Sequence, residues 1–316
     1  MSGRSRSVAV VAILLSLVAG PGPAGGQVSD RAPLLLQLPS GTPAVAFGGA
    51  VPLAEASSDA VFAHPGTLGR ARGVELGAQT WEDGATGLSA SGALEWWDGA
   101  AGLGVRTLSY RLTSPLDSDP ALRAEDGLFD GAGPVVSEHV AAVGYGRELV
   151  GIHAGVVGKW IERRIAGERA WTAAADVGVA AERSDVVLGL AARNLGPALE
   201  RGGEEIGLPR EVVAGASFSG APVGPLDLGA AAQLTVRADG EVVPAGGLEV
   251  AWWPVLGRTF VGRVGLRRVP EGEGDPVSFG AAFHGDAFGL EYAYRGFDGS
   301  GASHLVGIRW REDGPF

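Results

Sequence analysis

From residue 73 to the carboxyl end the chain alternates with a period of two, segment after segment. Leu226, Leu228, Ala230, Ala232, Leu234 and Val236 fall on one face; Asp227, Gly229, Ala231, Gln233, Thr235 and Arg237 fall on the other. Phe288, Leu290, Tyr292 and Tyr294 likewise oppose Glu291 and Arg295. A period of two puts successive side chains on opposite faces of a sheet, so the pattern demands strands. About fourteen such segments lie near 73–82, 86–96, 100–112, 136–147, 149–162, 170–182, 184–194, 210–219, 225–237, 246–256, 258–268, 277–283, 287–296 and 302–310. Most approach the length of about 9–11 residues that a tilted strand needs to cross a bilayer. The third segment loses phase near Thr107, which predicts a bulge.

The connections sort by parity. After even-numbered segments they are tight: Asp98-Gly99, Glu148, Arg183, Gly220–Gly224, Gly257 and Gly285-Asp286. After odd-numbered segments they run longer, above all Thr113–Val135 and Leu195–Pro209. Short turns on one rim and long loops on the other belong to a membrane barrel, whereas a soluble sandwich does not sort its loops this way. Trp81, Trp96, Trp97, Trp160, Trp171, Trp252, Trp253, Tyr292, Tyr294 and Trp310 stand near segment ends, as interfacial aromatic girdles do. The expectation is an all-β fold: a transmembrane antiparallel β-barrel of about 14 strands over residues 73–316.

Composition narrows the rest. Glycine, at 53 of 316 residues with no three-residue period, excludes a helical bundle and collagen. There is no cysteine, hence no disulfide, thiolate metal site or lipidated cysteine. A formal charge of −11 disfavours nucleic acid, whose phosphates need a basic surface. A positive mean hydropathy suits a lipid-facing surface. A soluble secreted β-protein is the alternative of another class.

The amino-terminal part reads differently. Arg4 and Arg6 precede the apolar run Val8–Ala19, and small residues follow to Gly26. Residues 1–26 therefore read as a cleaved secretory signal peptide; the run is too short to span a bilayer. Residues 27–72 read as a linker and a plug folded into or against the lumen. Glycine, β-branched residues and prolines crowd Pro43–Arg72, so no long helix is expected there. Small residues on the inner face of the strands leave room for that plug.

Little in the sequence points to catalysis. The five histidines (His64, His139, His153, His284 and His304) have no metal-ligand spacing, and no metal or cofactor is expected. Ser137 and His139 share a face, the minimum for a barrel-wall lipase, with nothing further to support it. Charges on the inner face, among them Lys159, Asp176, Arg193, Glu249, Arg263, Glu291 and Arg309, read as cross-strand pairs in a solvated or plug-contacting lumen.

Three stretches resemble one family. The run G-T-P-A-V-A-F-G-G-A-V-P-L-A-E-A-S-S-D-A-V-F-A-H-P-G-T-L-G-R-A-R-G-V-E-L is similar to the amino-terminal signature of the PorV/PorQ group of outer-membrane proteins, relatives of FadL-type transporters. Its motif residues here are Gly48, Gly49, Ala50, Asp59, His64, Pro65 and Leu68. The second stretch, Arg193-Asn194-Leu195-Gly196-Pro197, resembles the family's strand-ending R-N-L-G-P, and the third is Asp176-Val177-Gly178. His64 stands where the family pattern carries Asn. The resemblance implies a fourteen-stranded barrel in the outer membrane, without catalysis. It implies support of type IX-like secretion, with secretion proteins or cargo as partners. The loops Thr113–Val135 and Leu195–Pro209, with Leu128, Phe129, Ile206 and Leu208, would supply the contact surface. The FadL-like alternative implies passage of hydrophobic small molecules such as long-chain fatty acids, through a pocket lined by Phe47, Val51, Leu53 and Phe62.

Overall fold

The computed structural model describes residues 32–111, 135–269, 275–297 and 301–311. The expected signal peptide, most of the loop Thr113–Val135 with Leu128 and Phe129, and the tail beyond Arg311 lie outside the described residues.

Fourteen strands close into one antiparallel barrel in sequence order. They are β1 (Gly73–Trp81), β2 (Thr86–Trp96), β3 (Gly99–Arg111), β4 (Val135–Leu149), β5 (Ile152–Ile165), β6 (Glu168–Arg183) and β7 (Val186–Leu195). A small hairpin, β8 (Leu199–Arg201) and β9 (Glu204–Ile206), interrupts the series. Then follow β10 (Glu211–Val223), β11 (Leu226–Arg237), β12 (Val242–Val255), β13 (Arg258–Arg267), β14 (Val277–His284), β15 (Phe288–Phe297) and β16 (Gly301–Trp310). Closure comes from β1 against β16, with Val74 opposite Trp310. Every strand edge in the wall is paired, which abolishes the open edges of a flat sheet.

The alternation sets the two faces. Leu88, Leu103, Val143, Leu248 and Leu266 point outward, each about three-fifths exposed. Gln233, Asp176, Arg263 and Glu291 point inward and are buried. An apolar outside and a polar inside is the arrangement that lipid requires of a closed barrel. Trp96, Trp252 and Trp310 ring one end of this belt, and Trp160, Trp171 and Tyr294 lie toward the other. Two aromatics break the girdle expectation. Trp81 turns inward against the lumenal core, and Trp253 lines the mouth of the lumen.

Short turns gather on the rim that holds both Gly73 and Trp310. Val150-Gly151 is a two-residue turn with φ of 55° and 78°, the left-handed pair that matches strand twist. The parity rule fails between β5 and β6, on the long-loop side, which are joined by Ala166-Gly167 alone. The expected bulge near Thr107 is absent. β3 pairs with both neighbours in unbroken register from Gly99 to Ser109. Leu108 and Tyr110 face inward like Arg106; they are apolar because they meet the leucines of the amino-terminal segment, not because the strand slips. The bulges fall instead at Ala175/Val177, Phe218/Ala221 and Trp252/Val255.

Candidate functional site

The lumen is occupied by the chain's own residues 32–72. Two short helices (Thr42–Ala46 and Ala60–Ala63) and two 3-10 turns (Leu34–Leu36 and Pro65–Arg70) are joined by loops, as the glycine and proline content demands. The segment meets inward-facing residues of all fourteen barrel strands, from Glu75 on β1 to Gly307 on β16.

Wall glycines make the seats. An added Cβ at Gly280 would come within 2.5 Å of the Ala46 Cβ, and one at Gly247 within 2.5 Å of the Phe47 ring. At Gly265 it would strike the backbone of Ala46, Phe47 and Gly48. On the opposite wall, Gly146 would strike the Gly69 nitrogen at 2.6 Å, and Gly155 the Pro65 carbonyl. Leu68, fully buried, drops between Gly102 and Gly144, and Phe62 onto Gly104. Glycine here permits backbone to touch backbone across the lumen.

The motif residues divide into structural parts. Gly48 and Gly49 have φ of 72° and 103°, so they turn the chain where L side chains resist it. Ala50 is sealed in the cluster of Phe47 and Ala231. The Asp59 carboxylate accepts a hydrogen bond from Ser91 Oγ at 3.1 Å. Burial raises its pKa above the ordinary value, against the pull of Arg106. His64 is buried, and among the described residues neither ring nitrogen has a hydrogen-bond partner. Burial first, and Arg193 second, push its pKa down to about 3, so the ring is neutral.

The strand-end motif is a joint. Asn194 takes φ 59° at the bulge between β6 and β7, a conformation asparagine tolerates. Its backbone N–H donates to Asp176 at 2.8 Å, its side-chain amide donates to the Pro209 carbonyl at 2.8 Å, and its side-chain oxygen accepts from Lys159 at 3.0 Å. Lys159 and Asp176, both buried, pair at 2.5 Å. Arg193 pairs with Glu211 at 2.6 Å and donates to the Ala63 carbonyl at 3.0 Å. The Gly196 and Pro197 carbonyls accept from Arg210 and Thr172. The hairpin β8–β9 folds inward from this joint. Ile206 and Leu208 are buried with Leu199 and the leucines of the lumenal segment. They are therefore not a free contact surface, which corrects that part of the partner expectation.

The structure does not gather Phe47, Val51, Leu53 and Phe62 round one pocket. Phe47 faces Gly247, Leu53 faces Gly189 and Phe62 faces Gly104, each filling a separate hollow. Val51 borders a cavity with Gly49, Gln233 and Thr235. A larger cavity of about 530 Å³ opens at the short-turn rim. Ala54, Glu55 and Ala56 form its inner end; Ala251, Trp253, Val255 and Leu256 give it an apolar side, and Asp227, Glu249, Arg263, His284 and Arg309 a charged one.

Sequence reading missed the residue at that inner end. Glu55 lies across two wall arginines, Arg309 at 3.1 Å and Arg263 at 3.3 Å. Those arginines also meet Glu249, Glu75 and Glu291. Ser137 and His139 alternate with Glu138, which points inward to the Leu35 backbone at 2.8 Å, so both lie on the outer face. Among the described residues no cluster of metal ligands occurs.

A closed fourteen-stranded barrel holding its own amino-terminal segment in the lumen defines the class: the FadL-like barrel fold. TodX, a toluene transporter of Pseudomonas putida, superimposes with a TM-score of 0.61 at 11% identity, over 90% of this chain and 99% of that one. TbuX, a toluene transporter of Ralstonia pickettii, gives 0.57 at 12% identity over 87% and 99%. A FadL homologue of Pseudomonas aeruginosa gives 0.50 at 10% identity over 85% and 97%. No protein-family model and no curated protein matches the chain. At these identities the likeness is one of fold.

Proposed function

We propose that this protein is a non-enzymatic outer-membrane barrel that lets small hydrophobic molecules cross past its lumenal plug. One observation carries the reading: a lumen stoppered by the chain's own residues 32–72, inside a wall with an apolar exterior. An open polar pore would serve hydrophilic solutes, whereas a stoppered lumen with a partly apolar cavity at its short-turn rim suits solutes that water carries poorly. The transport function named for TodX and TbuX is consistent with it. The PorV/PorQ reading, secretion support, draws on the sequence motifs. Two of its proposed contact residues, Ile206 and Leu208, are buried, so it is the weaker reading.

The test is uptake of radiolabelled toluene and of a long-chain fatty acid by proteoliposomes carrying the full chain. Entry faster than in protein-free vesicles is expected for at least one of them. Rates equal to protein-free vesicles for both would overturn the reading.

A further inference from the structure

The outer face of the wall is not uniform. At the long-loop end of β11 and β12 its outward residues are apolar: Leu234, Val236, Val242 and Pro244. At the same end of β3–β6 they are polar. One register row there reads Ser109, Ser137, Arg164 and Arg169, one residue from each strand. The next row toward the middle of the wall holds Thr107, His139, Glu162 and Trp171. The row after that, Val105, Ala141, Trp160 and Ala173, is apolar again.

Two neighbouring arginines on a lipid-facing wall need a reason. A cation there is costly at the middle of the bilayer and costs little only at headgroup depth. One contact fixes the depth. The Arg169 guanidinium lies over the Trp160 ring, 5.7 Å from its centre, at the girdle of that end. Glu162 holds the arginines in place: its carboxylate accepts from Arg164 Nε and from Arg169 Nε, both at 2.5 Å. The Glu162 side chain is only 1% exposed, whereas those of Arg164 and Arg169 are 56% and 53% exposed. The acid is covered and the cations are not. Two guanidinium charges against one carboxylate leave the trio positive. Each guanidinium has five N–H groups, so donors remain on both for a second acceptor. Arg111, exposed at the end of β3, adds a further cation beside the Ser109 end of the row.

We infer that this patch binds the phosphate-bearing headgroup of an anionic lipid in the leaflet that meets the long loops. A guanidinium fork matches phosphate oxygens with paired hydrogen bonds, and basic clusters at the wall of a membrane protein collect such headgroups. The acyl chains then lie along the apolar rows nearer the middle of the wall. Arginines that were merely solvated at a strand end would show no preference for phosphate. The inference needs only a barrel in a membrane and is independent of what crosses it.

Native mass spectrometry of the full chain in detergent tests it, with lipid A as the phosphorylated probe and the same glycolipid stripped of its phosphates as the control. Each protein is compared as its folded, heat-shifting species. The phosphorylated lipid is expected to bind at least fivefold more tightly than the stripped one. Arg164→Gln/Arg169→Gln should weaken its binding at least fivefold. Arg147→Gln/Arg258→Gln, which removes two exposed cations at the short-turn rim, should leave it within twofold. Excess inorganic phosphate should not displace the lipid, because the acyl chains also hold it to the wall. Equal affinity for the two lipids, or equal losses in the two double variants, would overturn the inference. Displacement by inorganic phosphate would show a site for a free anion and overturn it as well.

Discussion

The two halves of the lumenal contact teach different lessons. At the seats, affinity comes from shape: glycines remove every Cβ that would hold the segment away, and neighbouring atoms meet at van der Waals distance. At residues 54–58 it comes from charge and single hydrogen bonds to side chains on β1, β10, β13 and β16, next to Leu53, which is buried against Ala180 and Val187. Shape complementarity is intolerant of added atoms and indifferent to charge. The ionic ties are the reverse. Substitutions should therefore separate the halves cleanly.

The largest effect is expected at the seats. Gly280→Ala and Gly265→Ala each force a methyl group into occupied space, which should cost about 1–3 kcal/mol or more. Urea titration of the folded, fast-migrating gel species measures it; unchanged midpoints would break the comparison. Next comes Glu55. Glu55→Gln removes two ion pairs but leaves Arg309 and Arg263 their other carboxylates, so a loss of about 1–2 kcal/mol in the same titration is expected. Cleavage within 51–58 by an added protease should also rise, while 62–70 stays protected. The smallest effect belongs to Gly215→Ala, whose Cβ would meet Leu53 at 3.4 Å, an ordinary contact. Its midpoint should shift by less than about 0.5 kcal/mol.

His64 sharpens the contrast through pH. Its folded pKa of about 3 lies below the ordinary 6.5, so the unfolded chain binds the proton more readily. Stability from this site is whole above about pH 6.5 and is lost as pH falls toward 3. His64→Asn cannot titrate. It should flatten the acid side of the stability profile between those values and leave the neutral midpoint nearly unchanged. An unaltered acid slope would show that the imidazole is not sealed in its seat.

The barrel was legible because alternation is local: each strand announces its own two faces. What misled the sequence reading was contact from far along the chain. Leu108 and Tyr110 looked like a slipped register because the leucines that meet them, Leu35, Leu36 and Leu38, lie about seventy residues earlier. Trp81 and Trp253 have the composition of girdle residues but face inward. The lumenal segment was legible from glycine, proline and small-residue crowding in Pro43–Arg72. The division of that segment was not. Glu55 is one unremarkable acid, and its partners Arg263 and Arg309 stand 208 and 254 positions away. Nor could the sequence say which of 53 glycines are seats, since a seat is defined by what fills it.

The central claim is a closed barrel in a membrane, and electrophoresis of the purified outer-membrane fraction with and without boiling tests it most directly. Such a barrel resists detergent until heated, so the unboiled protein should migrate at a different apparent mass and shift on boiling. A single unshifted band, with the protein recovered in the soluble fraction, would contradict the account.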